Sequence, residues 1–265
     1  MSQKDTHRDR IALQLYTVRD YVADDMLGAL SRAADLGFAG VEFAGLFEHD
    51  PEALRAHLDS VGLAVCGTHT GLDQLANDFA GCVRDARTLG TDIIVVPYLA
   101  QEYRGAPGYA EATTMMTDFA RRLKDEGMRL AYHNHSFELE PCRSDSLERG
   151  IDIIIAESPA DLVLLEIDVY WLRHGGVNPL AFLKQYATRC PLLHLKDMSD
   201  EQSRRFAEIG TGILDFAAIV TRARQAGVEW LIVEQDSDFE SDSFESAARS
   251  LQNLQSICQS IDTEA

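Results

Sequence analysis

This 265-residue sequence lacks long hydrophobic runs, an excess of basic charge and a regular cysteine pattern. No stretch approaches the roughly 18 consecutive apolar residues of a membrane-spanning helix, so we expect no membrane association. Lys and Arg number 24 against 43 Asp and Glu, a net charge of −19. Because that charge repels phosphate backbones, nucleic acid is not an expected partner. The five cysteines are scattered and odd in number, which favours reduced thiols in a cytoplasmic protein over a disulfide framework.

Short apolar runs alternate with amphipathic stretches along the whole sequence. The runs predict eight buried strands, at 11–16, 40–43, 64–68, 93–97, 129–133, 163–168, 192–196 and 231–234. Helical spacing between them predicts, among others, helices at 22–36, 75–89, 113–124 and 217–226. The Gly-x-Gly-x-x-Gly turn of a doubly wound sheet is missing after the first strand. The pattern therefore predicts one α/β domain, a closed parallel (β/α)8 TIM barrel over 11–260, after a flexible tail at 1–10.

The last four predicted strands each end at a potential metal ligand. These residues are His133, Asp168, His194 and Glu234. Buried carboxylates and imidazoles are unfavourable unless their charge is used, and the catalytic groups of such barrels lie at the carboxyl ends of the strands. The pattern predicts a site for one divalent ion, and the mixed ligands suit Mn, Mg, Co, Fe or Zn. The alternative for His194 is a core histidine bonded to a backbone carbonyl.

The segment after the fifth strand leaves several assignments open. His133 and His135 alternate on one strand face, and we assign His133 to the metal and His135 to the substrate as a catalytic group. Glu138 is a candidate base or the true fourth ligand, unless it is a solvated loop acid. Lys196, two residues beyond His194, is a candidate for stabilising an enediolate oxygen or a leaving hydroxyl. Its alternative role is a salt bridge to a ligand carboxylate.

The first strands supply further candidates for catalysis and substrate binding. Glu42, the acid at the end of the second strand, is a second candidate base. Gln14 and Tyr16 at the first strand end and His69 after the third strand are expected to hydrogen-bond a polyol. Trp171 offers a flat wall for a sugar face. Each polar group could instead satisfy neighbouring backbone, and Trp171 could instead cap the barrel core.

Six motifs distributed along the chain are distinctive when taken together. They are Leu13-Gln-Leu-Tyr-Thr17, Tyr132-His-Asn-His135 with Phe137-Glu138, Ile167-Asp-Val-Tyr-Trp171, His194-Leu-Lys-Asp197, Gly210-Thr-Gly212 and Val233-Glu-Gln-Asp236. In these motifs the sequence resembles the sugar phosphate isomerase/epimerase family, xylose isomerase-like barrels that also include endonuclease IV. The resemblance runs from about residue 11 to residue 234.

The resemblance implies a metal site and a reaction class. Members of that family typically hold one divalent metal with Glu, Asp, His and Glu from strands five to eight. By that resemblance Asp168, His194 and Glu234 are the second to fourth ligands, whereas His133 stands where many epimerases carry glutamate. The implied reaction is isomerisation or epimerisation of a sugar or polyol ketone, by proton abstraction next to its carbonyl. The His-x-Lys pattern at His194 and Lys196 also looks like metal-dependent dehydratases, so dehydration of a keto-sugar or keto-inositol is the alternative. A homo-oligomer is also expected.

Overall fold

The computed structural model describes residues 10–145 and 147–264, so nearly all of the tail predicted at 1–10 lies outside the described residues. Eight parallel strands close into one barrel with helices outside it, which confirms the predicted fold. The barrel strands are β1 (Ile11–Gln14), β2 (Gly40–Phe43), β3 (Ala64–His69), β4 (Ile93–Val96), β5 (Arg129–His133), β6 (Val163–Asp168), β7 (Leu192–Leu195) and β10 (Trp230–Val233). A short antiparallel pair, β8 (Asp197–Met198) and β9 (Phe206–Ala207), lies in the loop after β7. Every predicted strand is present, with ends shifted by at most two residues.

Helices follow the strands around the outside of the barrel. They are α1 (Arg19–Asp24), α2 (Met26–Leu36), α3 (Pro51–Val61), α4 (Leu72–Asn77), α5 (Phe79–Leu89), α6 (Ala106–Asp125), α7 (Gly150–Glu157), α8 (Val169–His174), α9 (Pro179–Tyr186), α10 (Phe216–Ala226) and α11 (Ser243–Glu264). Their apolar faces pack on the outward faces of the strands in two large clusters. Within the described residues, none of these helices has the length and apolar character needed to cross a bilayer.

Two stretches predicted as single helices are each divided by an aspartate. Asp25 separates α1 from α2, and Asp78 separates α4 from α5, both with non-helical backbone angles. Each carboxylate accepts a hydrogen bond from the N–H three residues later, at Gly28 and Gly81, at 2.9 Å in both cases. The prediction of continuous helices was wrong because an aspartate that caps a helix must itself lie outside it.

The inward faces of the barrel strands form an apolar lower layer and a polar upper layer. The lower layer contains Ala12, Cys66, Ile93, Val95, Ala131, Leu192, Trp230 and Ile232. Since side chains alternate along a strand, the next inward residue lies two positions further on, and after the last apolar one it belongs to the upper layer. In β1, β5 and β7 these residues are Gln14, His133 and His194. The apolar layer therefore seals the barrel, and the polar groups meet at its carboxyl end.

Candidate metal centre

Four buried side chains from β5, β6, β7 and the end of β10 converge at the carboxyl end of the barrel. His133, Asp168, His194 and Glu234 each offer one ligand atom, and these atoms all lie within 4.8 Å of one another. His133 Nε2 lies 3.9 Å from Asp168 Oδ2, and His194 Nδ1 lies 2.6 Å from Glu234 Oε2. The structure thus brings together the four residues that the sequence singled out. We call them the outer group.

The two oxygens of Asp168 have different surroundings. Oδ1 accepts the N–H of Trp171 at 2.8 Å and so caps α8. Oδ2 is buried, has no hydrogen-bond partner and points into the outer group. Burial raises the pKa of this carboxyl to about 6, although Lys196 and His194 oppose the shift. A buried oxygen without a hydrogen bond, beside two imidazoles and a second carboxylate, fits the donor set of a divalent cation.

Lys196 lies among the carboxylates at the edge of this group. Its Nζ is 2.8 Å from Glu234 Oε2, 3.3 Å from Asp168 Oδ2 and 2.9 Å from Asp236 Oδ1. Burial disfavours the ammonium, but Glu234, Asp168 and Asp236 outweigh burial and raise the pKa of Lys196 well above its ordinary value. Conversely, Lys196 and His194 outweigh burial at Glu234 and lower the pKa of that carboxyl. Lys196 is therefore a fixed cation that forms the predicted salt bridges.

A second polar layer lies directly beneath the outer group. Glu166 Oε2 lies 2.9 Å from His133 Nδ1, 3.0 Å from His69 Nε2 and 3.2 Å from His194 Nε2. Glu42 Oε2 lies 2.7 Å from His194 Nε2 and 3.2 Å from His69 Nε2. Both carboxylates are fully buried. Ligand-type atoms of His69, His133, Glu166 and His194 also lie within 4.8 Å of one another, and we call these four the inner group.

Sequence reasoning missed Glu166 because it lies inside an apolar run. The signal was its spacing, since Glu166 precedes Asp168 by two residues and so shares its inward face. Burial and the charge of Glu42 raise the pKa of Glu166. At Glu42, His69 and His194 outweigh burial and lower the pKa. Asp236 and Tyr98, which line the adjoining cavity, were also missed.

The predicted contacts Gln14 and His69 lie beside the buried Glu42 carboxylate. Gln14 is fully buried and donates from Nε2 to Glu42 Oε2 at 2.7 Å, so it satisfies a neighbouring protein group. Glu42 and Glu166 outweigh burial at His69 and raise the pKa of its imidazole to about 10. The ring of His69 also lines the cavity, where it is open to a ligand.

The loop after β5 separates the three alternatives that the sequence left open there. The strand ends at His133, so His135 lies beyond it, and the two ring centroids are 5.0 Å apart. Glu138 lies outside both groups; it accepts hydrogen bonds from the Tyr132 hydroxyl and, at 2.9 Å, from the backbone N–H of His135. Burial raises the pKa of Glu138 to about 7. Burial, with help from Lys196, lowers the pKa of His135 to about 3.

A cavity of about 490 Å³ opens beside the outer group. His69, His133, His135, Lys196, Glu234 and Asp236 present polar atoms to it, and Tyr16 and Tyr98 form part of its rim. Tyr16 lies in a 3₁₀ turn after β1 and not in the strand as predicted; it is 44% exposed. Trp171 stands behind Lys196, whose Nζ is 5.5 Å from the indole ring centroid. The cavity thus joins a charged floor to an aromatic rim.

The glycine loop 208–212 has a structural explanation. The buried Asp197 Oδ2 accepts the N–H of Gly210 at 3.0 Å and that of Gly212 at 2.9 Å. A Cβ at Gly212 would lie 2.1 Å from the Met198 carbonyl oxygen. The close backbone approach that these glycines allow therefore serves the Asp197 carboxylate.

Comparisons with known proteins agree with this architecture. The sequence profile of the xylose isomerase-like TIM barrel family matches residues 30–257. An inosose dehydratase of Geobacillus kaustophilus strain HTA426 is 26% identical over 259 residues, covering 83% of this chain and 82% of that protein. A sugar phosphate isomerase/epimerase from Parabacteroides distasonis has the same fold, with a TM-score of 0.80, 20% identity and 96% coverage of both chains. The IolI protein, solved with a zinc atom bound, superposes with a TM-score of 0.72 at 14% identity, covering 95% of this chain and 99% of its own.

Proposed function

Because this chain belongs to the xylose isomerase-like TIM barrel family, we propose that it is a divalent-metal-dependent enzyme that removes a proton next to the carbonyl of a keto-sugar or keto-polyol. The observation that carries this proposal is the convergence of His133, Asp168, His194 and Glu234 beside an open cavity. In this proposal these four residues hold one ion. Bound there, the ion would act as a Lewis acid that lowers the energy of negative charge on a substrate oxygen.

The residues around the cavity include groups suited to complementary proton-transfer roles. His135 lines the cavity, and its Nδ1 is buried without a hydrogen-bond partner. We assign it the removal of the carbon-bound proton. Lys196 stays protonated beside Asp168 and Glu234 and is assigned to a substrate oxygen that gains negative charge. Glu138 holds the loop that carries this base by accepting the backbone N–H of His135 at 2.9 Å.

The cavity favours an uncharged polyol over a phosphorylated sugar. Its lining has no arginine among the described residues. Its two cations are already paired, Lys196 with three carboxylates and His69 with Glu42 and Glu166. A phosphate group ordinarily takes Arg, Lys or a helix N-terminus. The hydroxyls of a polyol would instead meet His69 and Asp236, with Tyr16 and Tyr98 offered to its apolar faces. Trp171, behind Lys196, does not line this cavity as the sequence predicted.

Removal of the proton can lead to isomerisation or epimerisation, or to dehydration. Isomerisation or epimerisation returns the proton to a neighbouring carbon or to the other face. Dehydration expels a β-hydroxyl instead; this second candidate is favoured by the inosose dehydratase named above, which aligns with 83% of this chain. The protonated Lys196 suits both outcomes, since it can face either an enolate oxygen or a departing hydroxyl.

A solvent-exchange experiment tests the proposed reaction. The protein, loaded with Mn²⁺, Co²⁺ or Zn²⁺, is incubated in D₂O with a panel of keto-sugars and keto-inositols. An isomerase or epimerase gives a deuterated isomer of unchanged composition, and a dehydratase gives an enone or diketone lighter by one water. Metal-loaded protein that neither exchanges nor converts any of these ketones contradicts the proposal.

A variant pair tests the proposed metal site. We expect His194→Ala to abolish stoichiometric metal binding with a nearly unchanged circular dichroism spectrum, because β7 pairs with β6 and β10 through its backbone and not through this side chain. The exposed His49 provides the control, and His49→Ala should keep its metal. Elemental analysis of the purified proteins measures the result. Full metal content in His194→Ala would contradict the assignment.

A further inference from the structure

Each histidine of the outer group has its two ring nitrogens in different layers. The Nε2 of His133 faces Asp168, while its Nδ1 lies 2.9 Å from Glu166 Oε2 in the inner layer. The Nδ1 of His194 lies 2.6 Å from Glu234 Oε2, while its Nε2 lies 2.7 Å from Glu42 Oε2. Both rings therefore stand with one nitrogen toward the candidate metal position and the other toward a fully buried carboxylate.

A neutral imidazole has one N–H and one free nitrogen, so the partner of the N–H decides which nitrogen can bind a cation. A carboxylate accepts the N–H and leaves the opposite nitrogen with its lone pair. At His133 this selects Nε2 as the ligand atom. At His194 both nitrogens face a carboxylate, and Nδ1 is the ligand atom because its partner, Glu234, belongs to the proposed metal centre. The two rings thus present different nitrogens to the buried carboxylates, Nδ1 of His133 to Glu166 and Nε2 of His194 to Glu42.

From these contacts we infer that Glu166 and Glu42 are positioning residues for the two histidine ligands, each accepting the inward N–H of one ring. The inference rests on the metal centre proposed above. It assigns Glu42 a role different from the base expected from the sequence, since its fully buried carboxylate meets Gln14, His69 and His194. Mutation of a carboxylate that holds a histidine ligand in this way typically weakens metal affinity by about 10- to 100-fold.

The environment of Glu42 is built to hold its carboxylate in one orientation. Gln14 Nε2 donates to Oε2 at 2.7 Å. The opposite oxygen, Oε1, faces Gly67 on β3, where an added Cβ would lie only 2.6 Å away. Gly67 therefore leaves the space that this carboxylate needs to reach His194.

The contacts of the Oε2 atoms of Glu166 and Glu42 favour hydrogen bonding over a second cation. Glu166 Oε2 has ring nitrogens of His69, His133 and His194 within 3.2 Å, and Glu42 Oε2 has a Gln14 donor as well as two imidazoles. Both Oε2 atoms therefore already have potential N–H donors. The other oxygens of the two carboxylates, Glu42 Oε1 and Glu166 Oε1, are buried without a hydrogen-bond partner, as is Asp168 Oδ2 in the outer group, so the number of ions bound is part of the test.

Metal titration of four proteins tests the inference without measuring turnover. Wild type, Glu166→Gln, Glu42→Gln and a control, Glu140→Gln at an exposed glutamate, are stripped with a chelator and titrated with Zn²⁺ and Co²⁺. Competition with a chromophoric chelator yields the dissociation constant, and the visible spectrum of bound Co²⁺ reports the ligand geometry. We expect both buried-site variants to bind about 10- to 100-fold more weakly with a changed Co²⁺ spectrum. The control should match wild type.

A fifth protein covers the case in which a buried Gln disturbs folding. Gly67→Ala removes no polar group but presses on Glu42 Oε1. Cooperative thermal unfolding of the metal-free variant would show that it is folded, and the folded variant should also bind metal more weakly. Variants that fold and bind within twofold of wild type, with the same Co²⁺ spectrum, would overturn the positioning role and leave the proposed metal centre intact. Two ions in wild type and one in Glu166→Gln would overturn it as well, because the inner group would then itself hold metal. Wild type that binds no ion would overturn both proposals.

Discussion

At the scale of single residues, the site depends on pairs of inward side chains two positions apart. Glu166 and Asp168 share a strand face, as do the lower-layer Leu192 and His194, so a step of two residues moves a side chain from one layer to the next. The outer member of the Glu166–Asp168 pair faces the candidate metal position, and the inner member meets the histidines. The role of an inward side chain therefore depends on how deep it lies in the barrel as well as on its residue type.

We expect Lys196→Met to lower turnover much more than metal content. Methionine matches the length of the lysine stem but removes the ammonium that lies 2.8 Å from Glu234 Oε2 and 3.3 Å from Asp168 Oδ2. Loss of one such charged donor typically lowers kcat by about 100-fold or more. Steady-state kinetics and elemental analysis on the same preparation measure both quantities. Unchanged turnover would make Lys196 a bystander.

Glu138 gives a prediction about stability and pH. Its pKa in the folded protein is raised from 4.5 to about 7 by burial, so the folded chain holds this proton more tightly than the unfolded chain does. Stability should therefore fall as the pH rises from about 4.5 to 7, by at most about 3 kcal/mol for this group. Glu138→Gln should lack that fall. Urea unfolding of both proteins at several pH values measures it, and a difference independent of pH would refute the assignment.

At the scale of elements, the strands were predictable and the helix interruptions were not. Apolar runs located all eight barrel strands to within two residues at each end, because fully buried parallel strands carry little else. The breaks at Asp25 and Asp78 lie inside amphipathic patterns that continue across them. A short polar side chain can end one helix and cap the next without altering the apolar spacing, so periodicity alone does not detect it.

The Asp78–Gly81 pair gives a prediction at this scale. A Cβ at Gly81 would lie 2.0 Å from Asp78 Oδ2, so Gly81→Ala should disturb the cap and lower the free energy of unfolding by about 1 kcal/mol. In an Asp78→Ala background the same change should be neutral or stabilising, since alanine is the better helix former. Chemical denaturation of the four proteins in this double-mutant cycle measures the coupling. Equal effects in both backgrounds would disprove it.

At the scale of the whole molecule, the apolar lower layer closes the barrel beneath the site. Trp230 is the largest side chain in this layer and is 4% exposed. Its ring fits because Gly40 on β2 has no side chain: an added Cβ would lie 2.8 Å from both Trp230 Cη2 and the Ala64 carbonyl oxygen. The large residue on one strand and the glycine on another therefore fill the interior together.

We expect Gly40→Ala to destabilise the whole barrel by about 1–3 kcal/mol, because overpacking forces shifts in strands and side chains. Gly71→Ala is the matched control, since no heavy atom lies within 4 Å of a Cβ built there and its φ of −66° suits alanine. Urea unfolding monitored by circular dichroism measures both variants. Comparable free energies of unfolding for Gly40→Ala and wild type would show that the layer tolerates the added methyl group.

The sequence by itself determined the barrel and the convergence of His133, Asp168, His194 and Glu234, because buried strands have a recognisable composition and parallel strand ends share one face. Only the tertiary structure separated His133 from His135 and Glu138, since that depends on where the chain leaves β5. It alone revealed Glu166 and Glu42 beneath the histidines. Their layer is set by the register between distant strands, and residue types read along one chain do not contain that register.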